Sequence, residues 1–172
     1  VLLGEPTLLK PITGNKGIRC FNAHAEGHAC HSSNPENGVN AITANAQLIT
    51  YIQSLSDEIL NKLYPRYERF DPAYTTLNIG QVTGGNAVNI VAEKSTVTFE
   101  IRPLPGGNAD GYVKGIKQYQ REIEQAVNDE ISDRDFSLRL SLEEYVSVPS
   151  FAGDVDHPGT EFIRSLTPGG NN

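Results

Sequence analysis

Four side chains that could do chemistry fall in one short stretch. His24, His28, Cys30 and His31 are residue types that bind metals and move protons. Their spacing works against a structural zinc site, which takes two close pairs set well apart. On an extended strand His24 and His28 would face one way and His31 the other. His31 opens the run His31-Ser32-Ser33-Asn34-Pro35, where short polar side chains bond to their own backbone, so it reads first as turn chemistry. Arg102 ends a strand on its polar face. Its planar fork suits a carboxylate, and the plainer alternative is an ion pair with Glu100. Asn89, just past Gly84-Gly85, offers an amide donor and acceptor, and could equally satisfy a turn. Glu5 sits at a loop entrance, and one carboxylate does not hold zinc alone. Neither Gly84-Gly85 nor Pro105-Gly106-Gly107 has the Lys-Ser/Thr or the strand–glycine–helix context of a phosphate loop.

The elements that carry these residues belong to a chain of 172 residues, 38% hydrophobic and 20% charged. That is enough for one domain with a sizeable core, with or without appended arms. The formal charge of −7 argues against nucleic acid or an anionic membrane as the main partner. No apolar run approaches the roughly 18 residues of a membrane span. Two cysteines, Cys20 and Cys30, do not make a disulfide framework and fit a reducing, cytoplasmic setting. The sequence contains no Met; it opens on Val1-Leu2-Leu3-Gly4 as though a strand were already running and closes on Pro168-Gly169-Gly170. It is expected to be a segment of a longer polypeptide.

The hydrophobic periods alternate along the chain. Gly17 to Glu26 reads as extended. Val39, Ile42, Ala46, Ile49, Ile52, Leu55, Ile59 and Leu63 recur at helical steps, with Asn37 or Gly38 as cap and Pro65 as the stop. Thr75 to Val82 reads as a strand, Gly84-Gly85-Asn86 as a hairpin turn, and Val97, Phe99 and Ile101 as one face of the returning strand. A second helical stripe runs through Ala109, Val113, Ile116, Gln120, Ile123 and Val127. A last strand places Phe136, Leu138, Leu140 and Leu142 on one face. The order β-α-β-β-α-β predicts an α+β, ferredoxin-like fold, a four-stranded antiparallel sheet with two helices on one face. That unit is expected over residues 17–148, with 1–16 and 149–172 as junctions to another domain. The fold alone does not assign a function.

Several phrases in this order carry a resemblance: Gly4-Glu5-Pro6-Thr7, Lys16-Gly17, His31-Ser32-Ser33-Asn34-Pro35 with Gly38-Val39-Asn40-Ala41-Ile42, Thr76-Leu77-Asn78-Ile79-Gly80 with Gly84-Gly85, Asn89-Ile90-Val91, and Arg102-Pro103-Leu104-Pro105-Gly106. Together they resemble the two-zinc aminoacylase and carboxypeptidase family, and within it the acetylornithine deacetylases, with the succinyl-diaminopimelate desuccinylases as the near alternative. A stand-alone ferredoxin-like module that senses a metabolite is the alternative of a different class. The resemblance implies a lid and dimerisation domain inserted into a metal-bearing catalytic domain. It implies two zinc or cobalt ions in the full-length enzyme, with Glu5 the one ligand carried by this chain, so the chain alone is expected neither to hold the pair nor to turn over. It implies that His31 reaches the other subunit's site and donates to the oxyanion, that Asn89 and Arg102 contact a small N-acyl amino acid, and that two lids pair as a homodimer.

Overall fold

The computed structural model describes residues 11–61 and 67–166. The proposed ligand Glu5 and the expected helix stop at Leu63 and Pro65 lie outside the described residues. In chain order the elements are β1 (Gly14–Asn15), β2 (Ile18–Glu26), α1 (Ala41–Asn61), β3 (Thr76–Gly84), β4 (Lys94–Arg102), α2 (Ala109–Glu130), β5 (Arg139–Val148), β6 (Phe151–Ala152) and α3 (Pro158–Leu166). Four strands make one antiparallel sheet in the order β3-β4-β2-β5, and β1 and β6 pair separately as a short ribbon. This is the ferredoxin-like arrangement expected from the sequence.

Strict alternation along β4 sends Ser95, Val97, Phe99 and Ile101 to the covered face and Thr96, Thr98, Glu100 and Arg102 to the open one. Phe21 of β2 stacks on Phe99 with ring centroids 5.1 Å apart. Leu48 and Ile52 of α1 and Val113, Ile116 and Ile123 of α2 close the core over them. Between the helices Tyr51 stacks on Tyr119 at 4.3 Å.

Four details depart from the periodicity. First, the cap of α1 is Asn40, whose Oδ1 accepts from Ile42 N (2.9 Å) and Thr43 N (3.3 Å). Asn37 and Gly38 instead belong to a preceding 3-10 turn and its end. Second, α1 buries Ala41, Ala44, Asn45, Leu48, Ile52 and Ile59, while Ile42 stays 41% exposed and Ala46 is exposed. The apolar stripe is wider than the sector facing the sheet, and the small alanines take the innermost positions. Third, no tight hairpin joins β3 to β4. Gly85, at φ +70°, donates to Lys94 O (3.1 Å), and residues 85–93 then leave the sheet because other segments take their backbone bonds. Fourth, the last strand starts at Arg139, not Phe136, and runs on to Val148. Asn128 of α2 stands in for the ladder one residue earlier: its Oδ1 accepts from Leu138 N (2.7 Å) and its Nδ2 donates to Leu138 O (2.9 Å).

At the other end of β2, Arg19 ties three elements together. It grips Glu144 of β5 through Nε (2.7 Å) and Nη2 (2.8 Å) and reaches Asp110, in the first turn of α2, through Nη1 (2.6 Å). The hydrogen bonds from Arg19 hold the Glu144 carboxyl below the usual glutamate range, against a smaller opposing effect of burial. A depressed folded pKa contributes stability that is present above the unfolded value of about 4.3 and lost as pH falls through the lower folded value. Glu144→Gln should therefore cost about 1 kcal/mol at neutral pH, the scale of a partly shielded ion pair. The difference from wild type should shrink below about pH 4. Urea titrations across pH check this, and a difference that is constant from pH 3 to 8 would count against it.

Candidate functional site

Three backbone segments are knitted together at the end of the sheet where β2 finishes and β4 begins. Gly27 N donates to Glu93 O (2.7 Å), His28 and Val39 exchange two bonds (3.0 and 2.9 Å), and Val91 N donates to Cys30 O (2.9 Å). Ser32 N donates to Asn89 O (3.0 Å) and Ala41 N to Ala92 O (2.8 Å). Two glycines permit the crossing. A Cβ on Gly27 would collide with Val39 O, and one on Gly38 would stand 2.6 Å from His28 O. His28 lies flat on Phe136 (4.5 Å, 4°), fastening the loop to the segment before β5.

This knot brings His31 and Asn89 side by side: His31 forms an antiparallel bridge with Ile90, the neighbour of Asn89. His31 is exposed. Its Nδ1 accepts from Ser33 N at 3.2 Å and lies 2.7 Å from Ser33 Oγ. A backbone N–H is only ever a donor, so Nδ1 carries no proton in the neutral ring. Nε2 is then the N–H nitrogen, and the outer end of the ring is a hydrogen-bond donor. The turn chemistry read from the sequence is therefore present, and it sets the tautomer.

Arg102 is not part of this group. It ends β4, opposite Thr76, eight residues beyond Lys94, the first residue of β4 next to the knot. At about 3.3 Å per residue that is roughly 26 Å. Its Nε and Nη2 both contact Glu100 Oε2, each at 2.9 Å. Lys16 is fixed at the same end, its Nζ donating to Tyr74 O (2.7 Å), and Gly17 N donates to Pro103 O (2.9 Å). Burial there lowers the Lys16 pKa, opposed by nearby Asp71.

The other reactive side chains diverge. His24 faces the open side of the sheet between Thr96 Oγ1 (3.1 Å) and Glu143 Oε2 (3.5 Å), and Cys30 Sγ donates to Asn34 O. Both cysteines are free. Among the described residues no three His, Cys, Asp or Glu side chains stand together as metal ligands would. The described residues thus do not themselves fit the two-metal centre that the resemblance implies. No helix among them is long and apolar enough to cross a membrane.

The sequence matches the M20 peptidase dimerisation domain over residues 13–128. The chain belongs to that family. Two acetylornithine deacetylases of Aliivibrio fischeri strains are 35% and 34% identical to it over 125 residues. That stretch is 72% of this chain and 32% of each relative, so the chain spans about a third of the length of these curated relatives. A hydantoinase/carbamoylase family amidase from Burkholderia ambifaria matches in structure with a TM-score of 0.65 at 18% identity, over 90% of this chain and 33% of its own. The aminopeptidase PepT of Bacillus cereus matches with a TM-score of 0.56 at 23% identity, over 85% and 34%. These structural likenesses bear on the fold alone.

What sequence reading lacked was the pairing of the His31 and Asn89 loops in this dimerisation domain. Its signal was there in Gly27 and Gly38, two glycines flanking a polar loop. The tautomer is directly measurable. At alkaline pH, nitrogen-15 spectra of the imidazoles should show His31 with a bare Nδ1 and a protonated Nε2. Ser33→Ala leaves only the longer backbone bond and should move the ring towards a mixed population. A wild-type His31 protonated mainly on Nδ1 would contradict the assignment.

Proposed function

We propose that this dimerisation domain is the lid of a metal-dependent amidohydrolase that removes acetate from N-acetylornithine, giving ornithine. The substrate class rests on the likeness to acetylornithine deacetylases, and the observation that carries the arrangement of the site is the separation of the candidate groups along one strand. His31 and Asn89 stand at one end of β4 and Arg102 at the other, roughly 26 Å apart. No small N-acyl amino acid spans that distance, so in one copy they cannot serve one substrate molecule. Two copies related by a two-fold axis resolve this. Arg102 then binds the substrate carboxylate in its own subunit's cleft, while the partner's lid brings His31 and Asn89 to the same cleft. There His31 Nε2–H donates to the oxygen that becomes an anion in the tetrahedral transition state, a contact that matters most where charge develops. Asn89 adds a neutral amide beside it. Water activation belongs to the metal-bearing part of the enzyme, outside the residues described here.

The sheet supplies an edge for such a dimer. β5 carries Arg139, Glu143 and Glu144, charges that discourage edge pairing, whereas β3 (Thr76–Gly84) carries none. β3 itself exposes Val82 (53%), and beside its end lies exposed Ile42 (41%). In this reading β3 pairs with its own copy and the outer flank of α1 packs beside it, burying on the order of 1,200 Å² or more.

Two measurements test the reading. In the full-length enzyme His31→Ala should lower kcat by roughly 10²–10³ with a smaller change in KM. Mixing it with Arg102→Ala subunits should restore about a quarter of wild-type activity, because half the dimers then hold one intact site. A mixture no more active than its components would refute action across subunits. Separately, Val82→Lys places a charge on the β3 edge without touching the core. Light scattering over a dilution series should show dimer for wild type and monomer for the variant. A wild-type monomer at every concentration, or a variant that dimerises unchanged, overturns the β3 interface.

A further inference from the structure

Glu100 has a definable task on the open face of the sheet. Both it and Arg102 lie on β4, two residues apart and so on one face, and β4 is an inner strand held by β3 and β2. The backbone under Glu100 is thus fixed on both sides, opposite Cys20 and Asn78. The Glu100 side chain is 29% exposed and that of Arg102 40%. One oxygen of Glu100, Oε2, meets both Nε and Nη2 of Arg102, each at 2.9 Å. The contact uses one side edge of the guanidinium. The terminal edge, with Nη1 and the outward hydrogen of Nη2, is not engaged by Glu100, and it is an edge that takes a carboxylate through two parallel bonds.

We propose that Glu100 is a positioning residue: it holds Arg102 by its Nε–Nη2 edge so that the terminal edge is presented, already oriented, to the single carboxylate of a small N-acyl amino acid. The proposal rests on the reading of Arg102 given above and deepens it. An arginine side chain has many rotamers, and immobilising it on binding weakens affinity. A carboxylate two residues away on a rigid strand meets that cost within the fold. Glu100 also has a second, opposed effect. Its negative charge stands near the incoming carboxylate and repels it, so the orienting bond and the charge should be separable.

Glutamine separates them, because its amide oxygen still accepts from Nε and Nη2 but carries no charge. In the full-length enzyme Glu100→Ala should raise KM for the N-acyl amino acid by roughly three- to tenfold with kcat little changed, the factor that one immobilised side chain is worth. Glu100→Gln should return KM to the wild-type value or below it. On the 172-residue chain, the Arg102 Nε–H proton should exchange slowly in wild type and in Glu100→Gln, and rapidly in Glu100→Ala. Arg102→Ala serves as the reference. If it leaves KM unchanged, Arg102 does not bind the carboxylate and the underlying reading fails. If it raises KM while Glu100→Ala does not, the positioning role alone fails. Equal increases for the Ala and Gln variants would show that the charge acts rather than the geometry, and a decrease in both would make Glu100 a competitor for Arg102; either overturns the proposal.

Discussion

The antiparallel register of β2 against β4 is the constraint on which the rest depends. Eight consecutive pairs, from Arg19 with Ile101 to Glu26 with Lys94, lock the two inner strands of the sheet. Because side chains alternate with a period of two, one register decides both faces at once. It sends Phe21, Val97, Phe99 and Ile101 under the helices and leaves Asn22, Thr98, Glu100 and Arg102 on the open side. A slip of β4 by one residue would bury Glu100 and Arg102 and expose Phe99. The apolar core therefore fixes the geometry of the polar face, although none of its side chains lies on that face.

The same pairing fixes where the chain can turn. Past Glu26 and before Lys94 the ladder ends, and the free backbone groups of residues 27–32 and 89–93 must find other partners or stay unsatisfied. They find each other and the segment leading into α1. The loop carrying His31 is thus held by main-chain bonds rather than by side-chain burial. His31 is exposed and still well placed. Ser33 completes the arrangement, since its backbone and hydroxyl both address Nδ1 and leave Nε2 as the donor.

The sheet and its helices were legible in the sequence because period-two and period-3.6 patterns report burial directly. β4 and α2 were readable residue by residue. Where the reading slipped, a polar side chain or a backbone bond had replaced the pattern. Asn128 pairs with Leu138 where a ladder was expected, and no hydrophobic period marks such a substitution. Asn40 displaces Asn37 and Gly38 as the cap because the preceding residues are spent on a separate 3-10 turn. The stripe of α1 was visible, but its division into a buried face and an exposed flank was not. Ile42 and Leu48 are both apolar, and only the packing of α1 on the sheet and α2 decides that Leu48 is covered and Ile42 is not. Of the candidate site, the residue types were legible and their grouping was not. That Arg102 stands a strand's length from His31 follows from topology, and that His31 meets Asn89 follows from two glycines whose close contacts appear only in three dimensions.

The rigid sheet keeps His31 and Arg102 of one copy apart. A hinge or flexible loop could bring Arg102 and His31 of one copy together only by breaking the β2–β4 ladder, and hydrogen bonds in that ladder are shielded by the core beneath them. The separation is therefore not a matter of conformation, and any chemistry that needs both groups must use a second copy. In the proposed dimer edge strand β3 takes that copy, being long, uncharged and carrying or flanked by uncovered apolar side chains. An edge of this kind is an aggregation hazard in a monomer. Paired two-fold with itself, it becomes a closed contact that consumes the edge it offers. In this reading the feature that would be a liability in isolation is the one that sets the distance between His31 of one lid and Arg102 of the other, and the stiffness of the joined sheets maintains it.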